Sequence, residues 1–443
     1  MNAPITNRIT ADIESLDIEA HGVARIDNKV VFIHGALPGE RVTATISKRK
    51  QRYDVASVNT VLRESVLRVV PRCPSFGICG GCSMQHLDER AQLAIKQRVL
   101  EDQLKHLAGL RPQTMARPIA GVPWNYRYRA RLTVRHVAKR GGILVGFHEK
   151  ASRYVVDMGE CHVLPKHVSD LLLPLRALIQ QLSIYMQLPQ IEVAQGDAVL
   201  ALVFRVLAAP SAQDRSLMIA FGREHQIEMW LQAKGPDTIE LLDTSQPSRL
   251  SYSLPEFGVT MPFRPTDFTQ VNHLINRVLV NKAIGMLALQ GGEKVVDLFC
   301  GLGNFSLPIA ARGAHVIGIE GSSELVRRAT ENAKANGLDQ RCRFIARNLY
   351  TFAAADWTAL GKIDRLLIDP PRDGALEVVK AIAQTGSLLK AIVYVSCNPA
   401  TLARDAGVLV GVAGYTLQSA GVVNMFPQTS HVESIALFTP PAS

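Results

Sequence analysis

One cysteine stands where an apolar run ends, in Val393-Tyr-Val-Ser-Cys397-Asn-Pro-Ala-Thr. The run Ala391–Val395 reads as a buried strand, and a helix is expected to start at Asn398-Pro399. α/β enzymes keep their chemistry at such strand ends, and a thiolate there is a strong nucleophile. A small buried core residue is the other ordinary fate of a lone cysteine. A second constellation, Val295-Val-Asp297-Leu-Phe-Cys-Gly301-Leu-Gly303-Asn304, runs strand, glycine turn, helix. Glu320 follows 19 residues after Gly301, at the end of the next strand, where an acid can bind ribose hydroxyls. A dinucleotide fingerprint needs a third glycine to seat a pyrophosphate, and Ser306 occupies that place. The pattern therefore favours S-adenosylmethionine, a nucleoside without a pyrophosphate. Asp369-Pro-Pro-Arg372 ends a third apolar strand as a stiff lip, because Pro370 keeps Asp369 out of helical geometry.

Three more thiols, Cys73, Cys79 and Cys82, lie within ten residues, and Cys161 lies far downstream. This spacing is similar to iron–sulfur ligation in which the last thiolate comes from elsewhere. Structural zinc more often uses two C-x2-C pairs, and only one is present here. Cys300 and Cys342 read as core residues.

The elements that must position these groups follow from periodicity. From about residue 263 the chain alternates strand and helix, with strands expected at 294–297, 315–319, 343–346, 365–367 and 391–395. Two final strands, near 417–423 and 431–438, would complete a Rossmann-like methyltransferase sheet with an antiparallel edge. Residues 8–62 show five short strand runs, including Ile9–Leu16, separated by Asp27-Asn28, Gly35 and Pro38-Gly39, as in a small OB-like barrel. A helix is expected over about 86–108. In 124–135, Arg127, Arg129, Arg131 and Arg135 share one strand face, and Tyr126, Tyr128, Ala130, Leu132 and Val134 share the other. The fold class is thus α/β multidomain: a barrel over 1–65, a central α+β domain carrying the cysteine loop over 66–262, and a methyltransferase domain over 263–443.

Net charge is +10, and its placement matters more than its size. Residues 1–150 hold 24 Lys and Arg against 13 Asp and Glu, whereas residues 151–259 hold 8 against 12. A cationic first third is the electrostatic footprint of a polyanion partner, and the arginine face is assigned to phosphates over internal ion pairs. The acid-bearing N-terminus is no signal peptide, and no apolar run is long enough for a membrane span. A cytoplasmic location follows, and seven cysteines there argue for metal or catalysis over disulfides.

Phe268-Thr-Gln270-Val-Asn272, Asp369-Pro-Pro-Arg372, Val395-Ser-Cys397-Asn-Pro-Ala-Thr and Met425-Phe-Pro-Gln-Thr-Ser-His431-Val-Glu433-Ser together resemble the RNA uracil-5-methyltransferases. The front barrel resembles a TRAM domain, an RNA-binding module. Cys73, Cys79, Cys82 and Cys161 resemble that family's [4Fe-4S] ligands. The resemblance implies a branch that acts on 23S ribosomal RNA, on the expectation that the transfer-RNA branch lacks both barrel and cluster and that a second ribosomal branch has the cluster but typically lacks the barrel. The resemblance implies S-adenosylmethionine contacts at Gln270, Phe299, Asn304, Glu320, Asn348 and Asp369, Cys397 as nucleophile and Glu433 as general base. One departure is Asn424, where relatives carry Asp before Met-Phe-Pro. A monomer is expected. Two rival readings are an amino-methyltransferase using Asp-Pro-Pro-Arg, which needs no cysteine, and an iron–sulfur RNA-binding factor with an idle methyltransferase fold.

Overall fold

The computed structural model describes residues 7–386 and 388–441, with the side chains of Arg140 and Pro236 left aside. The chain forms two compact units. One comprises Met1–Val99, Phe147–Val156 and Phe426–His431, and the other Leu100–Gly146, Asp157–Met425 and Val432–Ser443.

In the first unit, six strands form one sheet in the order Arg8–Asp12, Arg41–Arg49, Tyr53–Arg63, Lys29–His34, Gly22–Ile26 and Ser15–Leu16. Period-two alternation places Val42, Ala44 and Ile46 in the core while Arg41 and Thr45 face outward. The expected strand Ile9–Leu16 is two strands, because the chain changes partners midway. Ile13 N–H donates to Glu40 O, and Glu14 N–H donates to Val23 O across the sheet. Lys48, Arg49, Lys50 and Arg52 form an exposed hairpin tip, where Arg49 lies 3.5 Å from Asp54.

The second unit holds two large sheets. The first orders its strands Ile239–Leu241, Ile227–Gln232, Leu200–Arg205, Gln190–Gln195, Arg129–Val137 and Gly142–Gly146. Its one parallel pair, Leu200–Arg205 with Ile227–Gln232, is joined by the helix Ala212–His225. Ala130, Leu132 and Val134 are buried as the pattern demands. The arginine face is less uniform than expected. Arg131 pairs with Glu192 at 3.2 Å, Arg135 is exposed, and Arg129 is tucked in near Glu192 and Asp267, its pKa lowered by burial. Arg131 thus has an internal acid beside it while its side chain stays largely exposed.

The second sheet has eight strands, in the order Cys342–Ala346, His315–Glu320, Lys294–Leu298, Arg365–Ile368, Ala391–Ser396, Glu433–Thr439, Thr416–Val423 and Thr114–Met115. The first five run parallel, and Glu433–Thr439 runs antiparallel to Ala391–Ser396. Strand order reverses at Lys294–Leu298, so the crevice for a ligand lies beyond the carboxyl ends there. The edge strand Thr114–Met115 comes from far upstream and has no counterpart in the sequence reading. Among the described residues, no helix is long and apolar enough to cross a membrane.

Candidate active site

Register brings the chemistry-bearing residues to one end of the eight-stranded sheet. Leu298 lies beside both Ile319 and Ile368, and Ile368 lies beside Tyr394. Asp297, Glu320, Asp369 and Cys397 therefore all sit at neighbouring carboxyl ends. Ser396 pairs with Ser434, so the antiparallel strand brings Glu433 to the same end. Cys397 follows its strand directly and precedes Asn398, the N-cap of the helix Pro399–Gly411. Asn398 Oδ1 accepts from Ala400 N–H at 3.1 Å, and Pro399 occupies the first helical position.

Two loops are stapled together at this end. Asn398 Nδ2 and Thr401 Oγ1 both donate to Arg372 O, at 3.0 and 3.2 Å. Beneath them the buried Asp405 accepts from Ala375 N–H at 2.7 Å, Tyr394 O–H at 2.6 Å and Arg404 Nε at 2.8 Å. Gly374 has φ +77°, and a Cβ there would stand 2.8 Å from Asp405 Oδ2, so only glycine fits the corner.

The electrostatics are unusual. Burial pushes the Cys397 thiol up to about 11, helped by the neighbouring Glu433 and Asp369 carboxyls, while Arg372 pulls it down. Glu433 is raised well above the carboxylate range by burial and by Asp369, again opposed by Arg372. Burial pushes Asp369 up to about 7. Asp297 is pushed to about 7 by burial, with the fields of Asp369 and Glu320 adding to it and a hydrogen bond from Ser306 opposing it. Asp297 Oδ1 is buried and has no hydrogen-bond partner among the described residues.

The residues expected to hold a nucleoside are arranged on both sides of this end. Phe299 and Gly301 take positive φ, +62° and +54°, and their turn is held by Phe299 N–H on Ile319 O. Glu320 accepts from Gly301 N–H at 3.2 Å and Ser322 N–H at 3.0 Å, which fixes its carboxylate. Asn348 is exposed and caps the turn Leu349–Thr351 by accepting from Tyr350 N–H. Gln270 is half-buried, just ahead of Asn272, the N-cap of the helix His273–Leu287. Asn304 is held by its neighbours. Its Oδ1 accepts from Tyr252 O–H and Asn276 Nδ2, and its Nδ2 donates to Asn276 Oδ1, so the amide serves an internal network. An orphaned buried carboxylate oxygen, a fixed Glu320 and a glycine turn with positive φ together fit a cationic nucleoside.

The four cysteines expected to ligate a cluster fall in different units. Cys73, Cys79 and Cys82 belong to the first, and Cys161, buried, to the second, where its N–H donates to Ser169 Oγ at 2.8 Å. Within the first unit the loop chemistry fits thiolate ligation. Gly81 N–H donates to Cys79 Sγ at 3.4 Å, and the Lys150 ammonium feels the fields of both Cys79 and Cys82. Among the described residues, no group of three or more His, Cys, Asp or Glu side chains is arranged to hold a metal ion. Cys300 is buried as expected, and Cys342 is half-buried.

Sequence reasoning missed three contributors. Arg372 was visible inside Asp-Pro-Pro-Arg but had no role until the fold set it against Cys397 and Glu433. Asp405 and Tyr252 carry no local signal. Asn424 is buried, and its N–H donates to Ile119 O at 2.8 Å.

A parallel sheet with this strand order, a glycine turn at its switch point and a thiol beside a buried acid define a methyltransferase-type site. Residues 88–440 match the tRNA (Uracil-5-)-methyltransferase family and residues 7–58 match the TRAM domain. The chain is 59% identical over 438 residues to the 23S rRNA (uracil(1939)-C(5))-methyltransferase RlmD of Burkholderia pseudomallei (strain 1710b), covering 96% of this chain and 94% of that protein. It is 58% identical to the RlmD of Ralstonia nicotianae, covering 96% and 98%. A solved structure, the Pyrococcus abyssi tRNA (uracil-54, C5)-methyltransferase in complex with S-adenosyl-L-homocysteine, shares the fold with a TM-score of 0.75 at 23% identity, over 97% of this chain and 100% of that one, so the expectation that a transfer-RNA enzyme lacks the front barrel is corrected. The chain belongs to the tRNA (uracil-5-)-methyltransferase family and carries a TRAM domain over residues 7–58.

Proposed function

We propose that this chain methylates C5 of a uridine in 23S ribosomal RNA, using S-adenosylmethionine and a Cys397 adduct. The observation that carries the reading is the convergence of Cys397, Glu433 and Asp369 at one sheet end. Uracil C5 is a poor nucleophile. Addition of Cys397 sulfur to C6 turns the ring into an enolate-like species with electron density on C5. S-adenosylmethionine, when bound, supplies an electrophilic methyl group. Glu433 then takes the C5 proton, the C5=C6 bond re-forms, and the Cys397–C6 bond breaks to release the thiolate.

Burial favours the protonated form of both groups, so each needs help to lose its proton before it acts. Arg372 favours both anions, and the N-terminus of Pro399–Gly411 adds positive potential beside the thiol. Gln270, Phe299, Asn304, Glu320, Asn348 and Asp369 hold the methyl donor, with Asn304 fixing the glycine turn from behind. Cys73, Cys79, Cys82 and Cys161 are the residues that would hold a [4Fe-4S] cluster, which would staple the cysteine loop. The TRAM domain and the basic first third bind RNA phosphates, and the target base leaves its stack to expose C6. The working division is 1–65 for RNA binding, 66–262 for the cluster and 263–443 for methyl transfer, in a cytoplasmic monomer.

The test is methyl transfer from labelled S-adenosylmethionine to unmodified 23S and transfer RNA transcripts, with wild type and Cys397→Ala side by side. Label at C5 of a 23S uridine, absent in the variant, supports the reading. Label in transfer RNA alone would overturn the substrate, and equal label in the variant would overturn the nucleophile.

A further inference from the structure

Asp297 takes no part in the thiol addition or the proton removal above, yet it is fully buried beside the donor site. Its strand lies between His315–Glu320 and Arg365–Ile368, where Asp297 stands beside Gly318 and Leu367, and the acids Glu320 and Asp369 follow at the carboxyl ends of those two strands. Asp297 feels Asp369 and Glu320, and in turn acts on the Cys300 and Cys342 thiols. Ser306 from the following helix donates to Oδ2, and Oδ1 is orphaned among the described residues. Asp369 is tied to the same strand, its N–H donating to Leu298 O at 3.3 Å. The two charged groups that act most on Asp297, Asp369 and Glu320, are both acids.

We propose that Asp297, seconded by Asp369, distinguishes the charged methyl donor from its neutral product. A sulfonium over the sheet end supplies the positive charge the pair lacks, and one proton leaves the pair as the donor binds. Methyl transfer converts the sulfonium to a thioether. The carboxylate then loses its counter-ion, takes a proton back and no longer favours the ligand, which promotes product release. This inference rests on the reading of the site as an S-adenosylmethionine site.

Both carboxyls titrate near about 7 in the ligand-free site. Linkage then sets the sign. Below that value donor binding must expel a proton, so affinity falls about tenfold for each pH unit lost. Above it affinity is flat. S-adenosylhomocysteine carries no sulfonium, so its affinity stays nearly level from pH 6 to 8.

The experiment is calorimetric titration of the full chain at pH 6, 7 and 8, in two buffers of different ionisation enthalpy. The ligands are S-adenosylmethionine, S-adenosylhomocysteine and sinefungin, which bears an ammonium in place of the sulfonium. Release of close to one proton at pH 6 for the two cationic ligands, and close to none for the thioether, supports the proposal. Equal proton release for all three would overturn it. Binding of none would overturn the cofactor reading itself. Asp297→Asn should level the pH dependence of the cationic ligands and shrink their preference over the thioether about tenfold. Asp369→Asn should reduce the same preference in part, and wild-type pH dependence in both variants would also overturn the proposal.

Discussion

The two ends of the eight-stranded sheet treat acids in opposite ways. At the amino ends, Glu293 accepts from Arg365 Nε at 2.6 Å and Lys390 Nζ at 2.8 Å, and Asp364 lies 3.0 Å from Lys390. Burial alone would raise Glu293, but these partners outweigh it and hold the carboxyl at about 2. At the carboxyl ends, burial pushes Asp297 and Asp369 up to about 7 and Glu433 well above its ordinary range. A paired acid supports the fold, and an uncompensated one is retained for a ligand or a reaction. The sheet thus concentrates electrostatic stress at the end where the ligand supplies the missing charge.

The sharpest way to probe the carboxyl end is Cys397→Ala. Turnover should fall by about 10⁴-fold or more in the methyl-transfer assay, with donor binding unchanged by titration. Glu433→Gln should leave addition and methylation possible and block release, so a covalent protein–RNA band carrying the label should persist on a denaturing gel. Absence of that band would remove Glu433 from the role of base. The amino end should respond in stability. Glu293→Gln leaves the Arg365 guanidinium buried without its carboxylate and should destabilise by about 3–5 kcal/mol in denaturant melts. Asp297→Asn should cost at most about 1 kcal/mol in the same melts, since it removes a charge the fold does not satisfy. Equal losses at both ends would erase the distinction.

The smallest effect is in pH dependence, where the ends carry opposite signs. Glu293 is depressed in the folded chain, so its stabilisation is present above 4.5 and lost as pH falls toward 2. Asp297 and Asp369 are raised, so the unfolded chain ionises first and ligand-free stability falls as pH rises from about 4 through 7. Melting of the ligand-free chain should therefore show a decline over that range that is shallower in Asp297→Asn.

Much of this architecture is legible in the sequence because it is local. The apolar run before Cys397, the glycine turn after Asp297 and the Pro370 lip each announce themselves within a few residues. The expected strands at 294–297, 315–319 and 391–395 each lie one residue short of those observed. What escaped is long-range. The two ends of the sheet look alike in sequence, since Glu293 stands two residues before Val295-Val296 and Asp297 directly after it, and only the fold reveals that Arg365 and Lys390 reach one of them. The Arg131 partner, Glu192, is 61 residues away and is set by antiparallel register. Ile9–Leu16 alternates like one strand, and only the partner change at Ile13 divides it.

The edge strand Thr114–Met115 carries a consequence for synthesis. It pairs with Ser419 and Ala420, roughly 300 residues later, an interval of about 15–60 s at ordinary rates of translation. The first-made piece of this sheet must therefore wait, unpaired, for nearly the whole chain to emerge. The last hairpin, Thr416–Val423 with Glu433–Thr439, then docks against an edge already in place. Produced without residues 100–146, the same hairpin would present Thr416–Val423 as a bare edge to any strand nearby, an invitation to aggregation.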